Sequence, residues 1–207
     1  MYRVISENTY QKFISIEDKE GILSATSDWR LDGVGPRVDT FDGILDMWLN
    51  QNNDVLEKMK LSTEPIWVDI SKPITQGIYL KSNNTFIGFS RSRFQLGKIL
   101  VNEIVCIVPE YRGSNYLVES SILGLKTIFN TLEGNAIHTK VPIDKSSSSL
   151  PTTTKESDVQ DTQLDRIEPI TYKSTIYTRE EWLVWIEKPE NESIKNAPYE
   201  YIWNYTG

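Results

Sequence analysis

Apolar residues recur every three or four positions between 41 and 60: Ile44, Leu45, Trp48, Leu49, Val55, Leu56 and Met59. That spacing predicts an amphipathic helix over about 41–60, capped by Thr40 or Asp42 and ended before Pro65. From Ile66 the pattern changes to short runs of β-branched and aromatic residues, IWVDI, GIYLKS and TFIGFSRSRF. These read as strands, and the Ser82-Asn83-Asn84 turn makes the second and third an antiparallel hairpin. The longest apolar run, Ile99 to Val108, is too short and too β-branched for a helix. It predicts a central strand, with Asn102 and Glu103 as polar interruptions. Val118, Ile122, Leu125 and Phe129 then mark a helix with one buried stripe, closed by Gly134-Asn135, and AIHTKVPI supplies the next strand.

The flanks are less patterned. The first forty residues show mainly turn markers, Asp28, Gly33, Gly35 and Pro36. Residues 146–168 form a polar loop with hardly a large apolar side chain. ITYKSTIYTR and EEWLVWIEKP predict late strands. In the tail Tyr199, Tyr201, Trp203 and Tyr205 alternate, which suits a strand or a partner surface, with ordinary core burial as the plainer reading. The expected organisation is one domain over 1–207. It has a helical N-terminal part (1–65), a sheet with its functional motif (66–145), the polar loop (146–168) and C-terminal strands with the tail (169–207).

Composition narrows the chemistry. Six Trp, ten Tyr and six Phe in 207 residues supply ample surface for a core. A single cysteine, Cys106, excludes an internal disulfide, and a single histidine, His138, leaves no His/Cys metal set. Cys106 alternates with Val105 and Ile107 and reads as a small buried filler; His138 reads as a structural residue. No apolar run reaches about 18 residues, so no membrane span is expected. The opening MYRVISENTYQKF lacks a basic and an apolar segment, which suggests no secretion. The net charge of −7 argues against a nucleic-acid groove and favours, weakly, a cationic small substrate. A cytoplasmic protein is the expectation.

The stretch from Glu103 to Leu125, EIVCIVPEYRGSNYLVESSILGL, carries the chemistry. A buried strand runs through Pro-Glu-Tyr-Arg-Gly straight into a helix. Such a junction leaves backbone N–H groups without intrahelical partners at the carboxyl end of a central strand. With the helix dipole they can bind a pyrophosphate. This arrangement resembles the acetyl-CoA-binding motif of the GNAT superfamily of N-acetyltransferases, tightly over 103–125 and by element order over about 74–145. The family pattern is Arg/Gln-x-x-Gly-x-Gly/Ala. Arg112 and Gly113 fit it, while Asn115 stands at the first family glycine and Leu117 at the second small residue.

The resemblance implies an α+β fold with a GNAT-like mixed central β-sheet, helices on both faces, and a splay at the fourth strand. It implies acetyl-CoA as co-substrate, held by Ile107, Val108, Arg112, Gly113, Ser114, Asn115, Tyr116 and Leu117, with pantetheine lying against the main chain of Ile104 to Val108. Leu117 must then turn its side chain into the core. Glu103 resembles the strand glutamate that some members use as general base; a paired or solvent-facing glutamate is the alternative. Arg112 and Ser114 are equally readable as a turn arginine and a helix cap. The family's usual acid, a tyrosine after the next strand, has no counterpart: Ser146 to Ser149 stand there, and Tyr172 and Tyr177 come late. Two functions stay open. One is an N-acyltransferase acting on a small-molecule or peptide amine. The other is a catalytically inactive GNAT-fold protein that binds a ligand or partner. A homodimer is left open.

Overall fold

The computed structural model describes residues 2–27, 41–61, 73–95, 97–142 and 172–203. Its centre is an eight-stranded sheet: β1 (Tyr2–Ile5), β2 (Thr9–Phe13), β3 (Ile74–Leu80), β4 (Phe86–Gln95), β5 (Ile99–Ile107), β6 (Ala136–Pro142), β7 (Tyr172–Thr178) and β8 (Glu200–Trp203). The spatial order is β7-β6-β5-β4-β3-β2-β1-β8. Every neighbouring pair is antiparallel except β5 and β6. A parallel pair needs a crossover, and α3 (Tyr116–Lys126) provides it. The remaining helices are α1 (Lys19–Ala25), α2 (Phe41–Lys60), α4 (Arg179–Ile186) and the single turn α5 (Glu192–Lys195).

Adjacent residues of a strand face opposite sides of a sheet, and the end of β5 shows what covers each side. Cys106 is buried with Phe89 beneath α1 and α2, among Ile22, Ala25, Leu45 and Trp48. The Trp48 and Phe89 rings lie 5.7 Å apart. Its neighbour Ile107 packs the other way, with Ile78 and Ile87, against Tyr116 and Leu117 of α3. Further along that second face, Leu100, Ile137 and Tyr177 lie with Leu125, Phe129 and Trp182. Each fully buried side chain of this size contributes about 1.5–3 kcal/mol of apolar transfer. The fold is α+β, with helices on both faces of a mixed sheet.

The helix over 41–60 and the β3–β4 hairpin form where the periodicity placed them. Three expectations need correction. The N-terminal part is not wholly helical: β1 and β2 precede α1, and the run Ile99–Val108, where the splay is expected, is the strand β5 in the described order. EEWLVWIEKP is not a strand. Thr178 and Glu181 form a reciprocal capping box, with Thr178 N donating to Glu181 Oε2 at 2.8 Å and Glu181 N donating to Thr178 Oγ1 at 3.2 Å. The cap starts a helix that buries Trp182 and Ile186 and exposes Leu183 and Val184. The helix after Gly113 regularly ends at Lys126 and continues as a π-turn over Thr127–Thr131. Within it Val118 and Ile122 are only half-buried, whereas Leu123 and Leu125 are buried. IWVDI, the polar loop over 146–168, Thr40 and Tyr205 lie outside the described residues. Of the tail, Tyr199 and Tyr201 pack beside Val4 and Ile74, and β8 pairs with β1.

Candidate functional site: a split between two parallel strands

The β5–β6 ladder runs from Ile99–Ala136 to Asn102–Thr139 and stops there. β5 continues to Ile107 and β6 to Pro142, so the two strands part beyond that rung. The parting coincides with a β-bulge. Toward β4, Arg91 pairs with Ile104 but Ser92 pairs with Asn102, leaving Glu103 as the extra residue. Such a bulge bends its strand and re-aims the local backbone. The two polar residues interrupting the apolar run therefore sit where β5 turns away from β6. The side chain of Glu103 lies outside the described residues, as does that of Ile104.

Beyond the bulge, β5 is held tightly to β4. A Cβ on Gly88 would meet the Cys106 carbonyl oxygen at 2.2 Å, so only glycine allows this approach. Val108 N donates to Ile87 O at 2.9 Å, and Pro109–Tyr111 then form one 3-10 turn. Arg112 ties the turn down. Its Nε donates to Ile107 O at 2.8 Å and an Nη to Ala25 O at 3.1 Å, joining the end of β5 to the end of α1. Ser114 Oγ donates to Tyr111 O. Gly113 has φ +76°, where a glycine is at ease, and the space beside it is open.

Asn115 precedes α3 without a side-chain cap, and the first helical bond runs from Glu119 N to Asn115 O at 2.9 Å. The amides of Tyr116, Leu117 and Val118 thus have no intrahelical acceptor, and the helix dipole adds positive potential there. The Leu117 side chain packs toward Ile78, Leu80, Ile87 and Ile107. One turn on, Ser121 Oγ donates to Leu117 O at 2.8 Å. Ser121 and Gly124, with Asn102, Val105 and Thr139, line a cavity of about 110 Å³ between α3 and the parting strands. The loop and the helix end therefore offer donors an anionic group could use, beside the stretch of β5 that runs on past its ladder with β6. These features fit an acyl-CoA. Cys106 is buried in the core, and His138 sits in β6 between Val101 and Ile176. Tyr177 is buried against Phe129 and Trp182, where loss of water pushes its hydroxyl up to about 12. Among the described residues, no group of three His, Cys, Asp or Glu is placed to hold a metal ion.

A clamp that sequence reading missed fixes the near end of α3. The Glu119 carboxylate accepts from Ser6 Oγ, from Asn8 N at 2.8 Å and from Thr9 N at 3.0 Å, with further bonds from Thr9 Oγ1 and Asn8 Nδ2. Partners more than a hundred residues apart leave no local signal. Burial pushes this carboxyl up, but the donated hydrogen bonds outweigh it and hold it below the usual carboxylate range. A depressed folded-state value means stability that is present above the unfolded carboxyl value, about 4.3, and lost as pH falls through the folded one. Urea unfolding between neutral pH and pH 3 should show this loss. Glu119→Ala, which strands the Ser6 and Thr9 donors, should cost about 1–3 kcal/mol at pH 7 and flatten the acid slope. An unchanged slope would remove the clamp from the account.

No family profile matches the sequence, and no curated protein matches it by sequence. Solved structures do match by shape. FdhC, described as a nucleotide-linked sugar GNAT, superposes with a TM-score of 0.64 at 14% identity over 91% of this chain and 97% of its own. A GNAT-family acetyltransferase from Bacillus anthracis gives 0.62 at 11% identity, over 87% of this chain and 100% of its own. A variant of the spermidine N-acetyltransferase SpeG from Vibrio cholerae gives 0.65 at 11% identity, over 86% of this chain and 98% of its own. The chain has the GNAT fold. Its low identity to these structures makes it a divergent example of that fold, and among its described residues no helix is long and apolar enough to cross a membrane.

Proposed function

We propose that this protein is an acyl-CoA-dependent N-acyltransferase, moving an acetyl group from acetyl-CoA to an amine. The observation that carries the reading is the coincidence, at one place, of the parted strands, the bulge at Glu103 and the uncapped start of α3. In this reading the amides from Gly113 to Leu117 hold the pyrophosphate, with Ser114 and Asn115 at the turn. The main chain of β5 from Ile104 to Val108, beyond the last rung with β6, pairs with the pantetheine amides. Acetyl-CoA would bring an activated thioester; Glu103 would take a proton from the ammonium, the free amine would attack the thioester carbonyl, and the carbon–sulfur bond would break, CoA leaving as a thiolate that takes up the second proton lost by the nitrogen. A backbone N–H near the bulge polarises the carbonyl. Arg112 acts by fixing the turn, since two of its donors are spent on carbonyls.

The substrate is a small-molecule or peptide amine, and the net charge of −7 favours a cationic one. The cytoplasm is the fitting compartment for a CoA-dependent enzyme. A binding protein without catalysis is the competing reading, favoured by the absence of a described tyrosine in the role of general acid. Thermal unfolding with acetyl-CoA separates this fold's cofactor users from such a protein. At a hundred times its dissociation constant the ligand should add about 2.7 kcal/mol. No shift at millimolar acetyl-CoA would overturn the enzyme reading.

A further inference from the structure

On the flank of α3 turned away from the parted strands lies a second cleft, of about 340 Å³. Its walls are mainly apolar, Val118 and Ile122 of α3 on one side and Ile194 and Pro198 around α5 on the other, with Glu7, Asn115 and Glu119 also lining it. Lys126 lines the same cleft while keeping only 5% of its surface exposed. Its Nζ donates to Lys195 O at 3.2 Å and Ala197 O at 2.8 Å, the carbonyl end of α5. No described carboxylate pairs with it. Glu119, on the same flank, has its oxygens turned to Ser6, Asn8 and Thr9.

An ammonium has three protons, and two are accounted for. Burying a charge without an opposite charge is costly, and desolvation here pushes the lysine's ammonium below its usual range. Capping the end of α5 explains the two carbonyl bonds. It does not explain an open volume lined by the same lysine, at the low end of the roughly 300–1,000 Å³ of small-molecule sites. A carboxylate would supply the missing countercharge. Hydrocarbon walls suit an apolar body behind it, and the Glu7 carboxylate lining the cleft disfavours a second negative charge.

We propose that this cleft is a binding site for a small monocarboxylate with an apolar body, its carboxylate held by Lys126. The cleft meets the turn of the acyl-CoA reading only at Asn115, and it uses none of the parted strand edge.

Octanoate is the probe, with octylamine of equal length as the charge control. Calorimetric titration of the full chain should give saturable one-to-one binding of octanoate and none of octylamine. Amide spectra should shift at Val118–Lys126 and at Ser193–Ala197. Lys126→Met should weaken octanoate at least about tenfold, the effect of losing a hydrogen bond to a charged group. Ile122→Trp fills the cleft but leaves the carbonyl bonds of Lys126 intact, and should weaken octanoate to a similar degree. It decides the matter if the lysine variant fails to fold. Absence of saturable octanoate binding, octylamine binding as tightly, or an unchanged affinity in the folded variants would each overturn the proposal.

Discussion

Glu103→Gln is expected to lower kcat about 10²–10⁴-fold near neutral pH, the contribution of a positioned general base. An amine substrate is largely protonated at pH 7 and cannot attack until it gives up a proton. In the proposed reading Glu103 takes that proton within the complex. With glutamine it must leave in bulk water, so the variant should recover about tenfold per pH unit until the amine's own pKa is reached. Acetyl-CoA should still raise the melting temperature of the variant, because backbone amides hold the cofactor in this reading. The bulge supplies the physical reason for the choice: Glu103 is the residue of β5 that no residue of β4 pairs with, at the rung where β6 departs. A loss below about fivefold, or a deficit that does not shrink as pH rises, would remove Glu103 from proton transfer.

The second large effect is on stability. Trp182→Ala should cost about 3–5 kcal/mol, the usual range for emptying a buried aromatic site. Trp182 is fully buried, stacked 6.1 Å from Phe129 and 5.6 Å from Trp185, and its Nε1 donates to Asn130 Oδ1 at 3.0 Å. Removing it leaves a cavity where α4 meets the π-turn after α3. For a chain of this size the melting temperature should fall by roughly 6–20 °C. Calorimetry or urea titration measures it directly. A cost below about 1 kcal/mol would mean that α4 does not dock on the sheet as described.

The same tryptophan shows why part of the fold escaped sequence reading. Trp, Val and Ile in EEWLVWIEKP favour strands when counted as propensities. The deciding information was smaller: Thr178-Arg179-Glu180-Glu181 is a capping box, and Trp182 and Ile186 recur at helical spacing. Where periodicity was long it was enough, as over Phe41–Lys60. β1 and β2 are four and five residues long and mix Arg, Gln and Lys with their apolar positions, so no period rose above the turns around them. The site was legible as a junction, because a β-branched run, a proline, a glycine and an amphipathic stretch follow one another in sequence. Its surroundings were not. The grip of Arg112 on Ala25 O and that of Glu119 on the β1–β2 turn join residues far apart in the chain, and only folding brings them together.

The pairing of β1 with β8 sets a schedule for the growing chain. Tyr2 lies opposite Trp203 and Ile5 opposite Glu200, so β1 is completed only once β8, far later in the sequence, has been made. At about 5–20 residues per second, the outer edge of β1 stays open for some 10–40 s. An unpaired edge is a template for the strand of another nascent chain. β1 is only four residues long and carries Arg3, which makes it a poor template while it waits. The closing contact is also the most non-local among the described strands, and it draws together strands that cannot meet until synthesis has passed the parted pair β5 and β6.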